Sequence, residues 1–182
     1  MPLWNIVLSG YPGSGKTVLA RRLVAENKDF VRLNVDDLRS MYFGESGPSE
    51  EEDFVYDTLV TLRDAALGSR RSVVIDTTAP GNDMRKFLLN TRVRDATQLL
   101  IVMVVDKGVL EDRNRKRHSG WMVEAWDESW QNPSSNMPVM KFRNSSTDEF
   151  ETNYYILTDL LSSKVHPYHR RFFTHTFPRL KT

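Results

Sequence analysis

The sequence predicts an α/β fold in three layers, with helices on both faces of a mainly parallel sheet. Four apolar runs, WNIVLS, FVRLN, SVVID and LLIVMVVD, read as buried strands and alternate with helical patterns. The first run leads into the glycine-rich stretch LSGYPGSGKT, and a helical pattern follows at once. We expect residues 1–182 to form a single domain, since a chain of this length can cover a sheet on both faces.

The stretch from Gly10 to Thr17 satisfies G-x-x-x-x-G-K-[ST], the phosphate loop (P-loop) of P-loop NTPases. Glycines let backbone N–H groups surround an anion, because no Cβ blocks a close approach. In this pattern Lys16 reaches the β- and γ-phosphates, and the Thr17 hydroxyl is a ligand of Mg²⁺. The residues predicted to bind the nucleotide here are Gly10, Pro12, Gly13, Ser14, Gly15, Lys16 and Thr17. The alternative is a glycine-rich turn before an ordinary helix.

Composition excludes several classes of protein. The 25 Lys and Arg residues balance 24 Asp and Glu residues, so no overall positive field calls for nucleic acid. The absence of cysteine excludes disulfides, thiolate zinc sites and cysteine nucleophiles. No apolar run approaches the roughly 18 residues of a transmembrane helix, and the first apolar run is the strand before the phosphate loop. We therefore expect a soluble, cytoplasmic protein without a signal peptide.

Two carboxylates and an arginine follow the second predicted strand, in RLNVDDLRSMYFG. A hydroxyl that accepts a phosphoryl group needs a base for its proton, and we predict that Asp36 is this base. Arg39 is predicted to hold an anionic group of the acceptor in a bidentate fork. Asp37 is better explained as compensation of the helix dipole. In the alternative interpretation Asp36 is a helix N-cap and Arg39 is a surface residue.

The run VVIDTTAPGN resembles a Walker B strand, whose terminal carboxylate orients Mg²⁺ and its waters. We therefore predict Asp76 as a metal residue together with Thr17. Thr77 and Thr78 are candidates for contact with the acceptor. The alternatives are a strand-end aspartate that caps the next turn, and threonines that serve only the turn.

Four basic residues lie within five positions of EDRNRKRHSGW. On a helix Arg113 and Arg117 share a face at i, i+4, where like charges repel unless an anion lies between them. The transferring phosphoryl oxygens would supply that anion, and arginine donors stabilise their charge. We predict a helical lid at about residues 110–120, with Gly120 allowing it to close. A solvated basic helix end or a nucleic-acid patch is the alternative.

In this order, the motifs resemble the kinase domain of phage-type polynucleotide 5′-kinases, within the wider group of small P-loop kinases. The resemblance covers about residues 3 to 120. It implies ATP·Mg²⁺ as the phosphate donor and the 5′-hydroxyl of DNA or RNA as the acceptor. It also implies that Asp36 is the base, that Arg39 contacts an acceptor phosphate, and that Arg113 and Arg117 contact the triphosphate. The chain departs from the family in having no D-x-D-x-T phosphatase pattern after the lid.

The C-terminal third has features outside this resemblance. Trp121, Trp126 and Trp130 suit either a stacking platform for single-stranded bases or the buried face of a helix. Residues 131–149 are rich in Asn, Ser and Pro and are predicted to be irregular. Residues 164–182 hold five Lys or Arg, three His and no acid, which suits either a nucleic-acid surface or a segment lying on the domain.

Three other functions remain open from the sequence. A related kinase would phosphorylate a hydroxymethylated base extruded from DNA, with the tryptophans around the extruded nucleotide. A small-molecule kinase would act on a nucleoside, sugar or antibiotic in an enclosed pocket. A non-catalytic nucleotide-binding switch or partner module would not need Asp36.

Overall fold

A computed structural model describes residues 2–45, 47, 50–117 and 127–163 of the chain. The elements that build the fold are, in chain order, β1 (Leu3–Ser9), α1 (Lys16–Glu26), β2 (Phe30–Asn34), α2 (Val35–Phe43), α3 (Glu52–Gly68), β3 (Ser72–Asp76), α4 (Asn82–Leu89), β4 (Ala96–Val104), α5 (Lys107–Lys116), β5 (Val139–Arg143) and α6 (Thr147–Ser162). The five strands form one sheet in the order β2-β3-β1-β4-β5, and every neighbouring pair is parallel. The predicted three-layer α/β fold is confirmed.

Each face of the sheet carries its own hydrophobic core. Every residue of β1 is buried, and successive side chains point to opposite faces because a strand repeats every two residues. The face covered by α1 and α6 includes Trp4, Ile6, Leu8, Leu19, Leu23, Phe142 and Leu157. The face covered by α2, α3 and α4 includes Val7, Val35, Leu59, Ile75, Leu88 and Leu100. Burial on both sides explains why the strands read as continuous apolar runs.

The start of α2 decides one alternative from the sequence. The helix begins at Val35, and its N-cap is Asn34, whose side-chain oxygen accepts a hydrogen bond from the backbone N–H of Asp37 at 2.8 Å. The interpretation of Asp36 as the N-cap is therefore wrong. The cap places Asp36 in the first helical turn, at the carboxyl end of β2.

The expectation that residues 131–149 are irregular is wrong for part of that stretch. Residues Val139–Arg143 form β5, which pairs with β4 from Leu100↔Val139 to Val104↔Arg143. The strand is short and lies among turn-forming residues, which hid it in the sequence. Pairing with β4 and complete burial of Phe142 stabilise it in the fold.

None of the helices in the described part of the chain combines the length and apolar composition needed to cross a bilayer.

Candidate active site

The phosphate loop lies between β1 and α1, so its backbone N–H groups stand at a helix N-terminus, where the helix dipole favours an anion. Gly13 and Gly15 have φ angles of 81° and 93°, a region that other residues rarely adopt. A Cβ at Gly15 would also collide with the side-chain amide of Asn144. Glycine at this position is therefore a requirement of both backbone and packing.

Two buried asparagines hold this loop from outside. Asn144, which follows β5, donates from Nδ2 to the carbonyl oxygen of Ser14 at 2.8 Å. Asn114, on α5, donates from Nδ2 to the carbonyl oxygen of Pro12 at 2.9 Å. Sequence reasoning missed both residues, because they are 102 and 130 positions away from their partners. They fix two of the loop's carbonyl groups and so restrict the backbone that would surround the phosphates.

Lys16 is buried and its Nζ donates to the carbonyl oxygens of Gly10 at 2.8 Å and Tyr11 at 2.9 Å. Burial lowers its pKa to about 8, while the negative charges of Asp76 and Asp36 act in the opposite direction and Arg117 adds to the lowering. These interactions show that the fold brings together charged groups predicted from four separate segments. An entering phosphate would replace the two carbonyl oxygens as the partner of Nζ.

The lowered pKa of Lys16 predicts how ATP affinity depends on pH. Below about pH 8 the lysine is already charged, and binding of the triphosphate requires no proton. Above that pH most free protein carries a neutral lysine, and the bound anion raises the pKa, so binding takes up a proton. We expect the dissociation constant of ATP·Mg²⁺ to rise with pH above 8, by at most about tenfold per pH unit.

Calorimetric titration between about pH 7 and pH 10 measures this dependence. Lys16→Met is the control, which should bind ATP more weakly at neutral pH and without the same rise. An equal pH dependence in both proteins would contradict the assignment.

Asp36, the predicted base, lies in the first turn of α2. Its side chain is 63% exposed, and its Oδ1 accepts from Arg39 Nη1 at 2.6 Å. Partial desolvation raises the pKa of Asp36, and the positive charge of Arg39 offsets part of this effect. A carboxylate with a raised pKa, open to solvent and coupled to Lys16, is a suitable base for an incoming hydroxyl.

The guanidinium of Arg39 is held by Glu52, the first residue of α3. Nε and Nη2 of Arg39 form a bidentate pair with the two Glu52 oxygens at 2.8 and 2.7 Å. The fork predicted for an acceptor anion is thus engaged by a carboxylate of the protein. Glu52 thus orients Arg39 beside Asp36. The sequence indicated Glu52 only as one of several acidic residues at a helix start.

Asp76 is buried at the end of β3, between the ends of β1 and β2. Its Oδ2 accepts from Arg32 Nε at 3.1 Å and Nη2 at 2.8 Å, and Arg32 Nη1 also bonds Asp37 at 2.6 Å. In the described ranges no three His, Cys, Asp or Glu side chains cluster around a metal position. The Thr17 hydroxyl and the Asp76 carboxylate nevertheless fit Mg²⁺, which prefers oxygen ligands and takes the others from phosphates and water.

The turn after β3 contacts the phosphate loop. The carbonyl oxygen of Thr78 accepts from the backbone N–H of Gly10 at 3.1 Å. Thr77 is buried, and its side chain offsets part of the rise in the pKa of Tyr56 that burial causes. Contact of these threonines with an acceptor stays a prediction.

Arg113 and Arg117 of the predicted lid line a pocket of about 270 Å³ beside the phosphate loop. The pocket is lined by Gly13, Gly15, Val18, Arg113, Arg117, Asn144, Thr147 and Phe150. Nη1 of Arg113 is buried and has no hydrogen-bond partner among the described residues. An unpaired buried donor is costly unless a ligand satisfies it, so this nitrogen suits a phosphate oxygen.

The described ranges include one of the three C-terminal tryptophans. Trp130 packs against the core under α4 and stacks on Tyr11 of the phosphate loop, with ring centroids 5.0 Å apart. Core packing, one of the two roles considered for the tryptophans, therefore applies at least in part to Trp130. Gly120, Trp121 and Trp126, and the basic tail at 164–182, lie outside the described residues.

A protein family described as an AAA domain matches residues 6–130, the stretch that holds the phosphate loop, Asp36, Asp76 and both lid arginines. The chain belongs to this family. No curated protein matches this AAA domain protein.

Solved structures similar to this AAA domain protein include several kinases. The APS kinase CysC of Mycobacterium tuberculosis, in complex with AMPPNP and APS, has 17% identity and a TM-score of 0.66, with 90% of this chain and 100% of that chain covered. A gluconokinase from Sinorhizobium meliloti 1021 has 17% identity and a TM-score of 0.58, with 88% and 95% covered. A chain of the Pnkp1/Rnl/Hen1 complex has 30% identity and a TM-score of 0.55, with 59% and 38% covered.

The AAA domain of this chain therefore has the fold of small P-loop kinases, a fold of phosphotransferases. Its phosphate loop and α5 line one pocket, and the carboxylates of Asp36 and Asp76 act on the charge of Lys16 in the same loop.

Proposed function

We propose that the protein transfers the γ-phosphoryl group of ATP to the 5′-hydroxyl of DNA or RNA. The observation that carries the proposal is the Asp36–Arg39 pair at the carboxyl end of β2, which is electrostatically coupled to Lys16. In this proposal Asp36 is the proton acceptor, and Arg39, whose Nη1 lies 2.6 Å from the Asp36 carboxylate, is the cation beside it.

In the proposed reaction the acceptor oxygen attacks the γ-phosphorus, and Asp36 takes the proton of the hydroxyl. The bond from the γ-phosphorus to the β–γ bridging oxygen breaks, and ADP leaves with that electron pair. Lys16, Arg113 and Arg117 donate to the phosphoryl oxygens and the leaving group as their charge increases. Thr17 and Asp76 would hold Mg²⁺, which supplies further neutralisation of the triphosphate.

Arg39 supports a nucleotide acceptor. Glu52 orients the guanidinium, and its Nη1 points to the proposed base. A phosphate one sugar away from the reacting hydroxyl, as in a 5′-terminal nucleotide, suits a cation in this position. The 30% identity to a chain of the Pnkp1/Rnl/Hen1 RNA repair complex also supports a nucleic-acid acceptor.

A neutral small molecule is the second candidate acceptor, for a specific reason. Two carboxylates already contact Arg39, and Glu50, Glu51 and Asp53 lie at the adjacent start of α3. This acidic rim does not favour a polyanion. A nucleoside, a sugar or an antibiotic would bind there without a charge penalty.

Transfer of labelled γ-phosphate from ATP·Mg²⁺ tests the proposal. The acceptors are a 5′-hydroxyl oligonucleotide, a nucleoside 3′-monophosphate, the matching nucleoside, DNA with hydroxymethylated bases, and simple sugars. We expect label on the oligonucleotide 5′ end. We also expect the 3′-monophosphate to exceed the nucleoside in kcat/KM by about tenfold or more, the value of one charged hydrogen bond.

Arg39→Lys should reduce this preference, since lysine cannot form the same planar fork. Label on the nucleoside, the sugar or the modified base alone would overturn the polynucleotide acceptor and keep the phosphotransferase.

A further inference from the structure

Arg85 of α4 is completely buried and joins three segments at the carboxyl edge of the sheet. Its Nε donates to the carbonyl oxygen of Ala79 at 2.8 Å and to Ser9 Oγ at 3.2 Å. Its Nη1 donates to the carbonyl oxygen of Gln131 at 2.6 Å. These partners belong to the end of β1, the turn after β3, and the chain that follows α5. Burial of a charged guanidinium costs free energy unless its N–H groups are hydrogen-bonded. The three segments must therefore keep their carbonyl and hydroxyl oxygens in place around Arg85.

A column of stacked side chains extends from Arg85 to the phosphate loop. The guanidinium carbon of Arg85 lies 4.6 Å from the ring centroid of Trp130, and the Trp130 ring also stacks on Tyr11, with centroids 5.0 Å apart and planes at 26°. The Tyr11 hydroxyl donates to Asp127 at 2.7 Å. Burial and the Asp127 carboxylate raise the pKa of Tyr11 to about 12, so the hydroxyl remains a donor at neutral pH. Residues 127–131 are thereby attached to the loop through side chains.

The column ends at the groups proposed to handle phosphate. The carbonyl oxygen of Tyr11 accepts from Lys16 Nζ at 2.9 Å. The turn that Arg85 holds contains Ala79 with a φ of 38°, which is a strained angle for alanine. Ser9 Oγ donates to the carbonyl oxygen of Ala79 in this turn, at 2.8 Å. Movement of Tyr11 would therefore change the position of Lys16.

We propose that Arg85, Trp130 and Tyr11 form a positioning unit that couples residues 127–131 to the phosphate loop. When Lys16 leaves the Tyr11 carbonyl for a phosphate, the Tyr11–Trp130 stack shifts, and residues 127–131 shift with it. By reciprocity, disturbing the stack changes how the loop presents the phosphate. A kinetic test of this inference rests on the proposed phosphoryl transfer. An optical test requires only that the protein bind a nucleotide.

The optical test measures tryptophan emission while a non-hydrolysable ATP analogue and Mg²⁺ are added. We expect a saturable change in the wild-type protein. We expect most of it to disappear in Trp130→Phe, which must still bind the analogue by calorimetry. An unchanged signal in Trp130→Phe, or none in a wild-type protein that binds the analogue, would overturn the coupling. A signal without phosphoryl transfer to any acceptor would support the coupling and count against the proposed function.

The kinetic test compares Trp130→Ala and Arg85→Lys with Arg63→Lys. Arg63 is a matched control, because it is also buried on this side of the sheet and donates to a carbonyl oxygen, that of Leu88, at 2.8 Å. We expect Trp130→Ala to lower kcat by about tenfold to 100-fold, typical of a displaced reacting group, and Trp130→Phe to restore most of it.

Thermal unfolding is measured on every variant. If Trp130→Ala lowers kcat no more than Arg63→Lys does at a similar loss of stability, the stack is only structural and the proposal fails. Trp130→Ala decides the matter even if Arg85→Lys does not fold, because Trp130 is only half-buried.

Discussion

Replacing Asp36 with asparagine is expected to lower kcat by about 10² to 10⁴-fold, the usual contribution of general acid–base catalysis. Asparagine keeps the shape of the side chain and a hydrogen-bond acceptor for Arg39, but it cannot take a proton at neutral pH. Among the described residues the Asp36 carboxylate is hydrogen-bonded to Arg39 of its own helix and not to the phosphate loop, so ATP affinity should change little. Single-turnover transfer and calorimetric titration measure the two quantities separately.

Asp37→Asn is the matched control for this variant. Asp37 is the neighbouring carboxylate, is exposed to the same extent at 65%, and bonds Arg32 in place of Arg39. We expect its kcat to stay within about threefold of the wild type, since exposed ion pairs contribute little. If the two variants lose activity equally, or if Asp36→Asn retains full transfer, Asp36 is not the base.

The pH profile adds a second test of the same residue. Desolvation raises the pKa of Asp36 above its usual value, so the acid limb of kcat/KM should lie at a higher pH than for an ordinary aspartate. As pH falls through that pKa, the carboxylate is protonated and activity is lost. Asp36→Asn should remove this limb from whatever activity remains.

Replacing Arg113 or Arg117 with methionine is expected to lower kcat by about 100-fold or more, as the loss of a preorganised donor to a developing negative charge does. Methionine preserves much of the side-chain volume of arginine and removes its charge. For Arg113 the loss is greater, because its buried Nη1 has no hydrogen-bond partner in the part of the chain that the structure describes. The ground-state triphosphate has other contacts in the loop, so ATP affinity should fall by less than kcat.

Arg115→Met is the matched control within the same helix. Arg115 is 76% exposed and pairs with Asp112 at 3.2 Å, and it does not line the pocket. Its kcat should remain within about twofold of the wild type, as for other exposed pairs. Equal losses for Arg113→Met and Arg115→Met would mean that general positive charge on α5 matters, and that the pocket geometry does not.

Motifs whose physical logic is local were readable from the sequence. The phosphate loop needs glycines at positions of unusual φ, a lysine and a hydroxyl within eight residues, and the strand before it is apolar because both of its faces are covered. The position of Asp36 and Asp76 near Lys16 was predictable for a similar reason, because polar residues directly after parallel strands collect at one edge of the sheet. Their catalytic roles stay predictions until the variants are measured.

The tertiary structure decided what lies around these motifs. Glu52 meets Arg39 because α2 and α3 pack together. Asn114 and Asn144 meet the phosphate loop because β4 lies next to β1 in the sheet and β5 lies next to β4. Strand β5 is stabilised by pairing with β4. The proposed positioning role of Arg85 depends on its contact with Trp130, which is distant in the sequence. Periodicity and spacing describe a side chain's relation to its near neighbours along the chain. Contacts between residues 46 or 130 positions apart depend on strand order and on burial. A local sequence pattern contains no information about either.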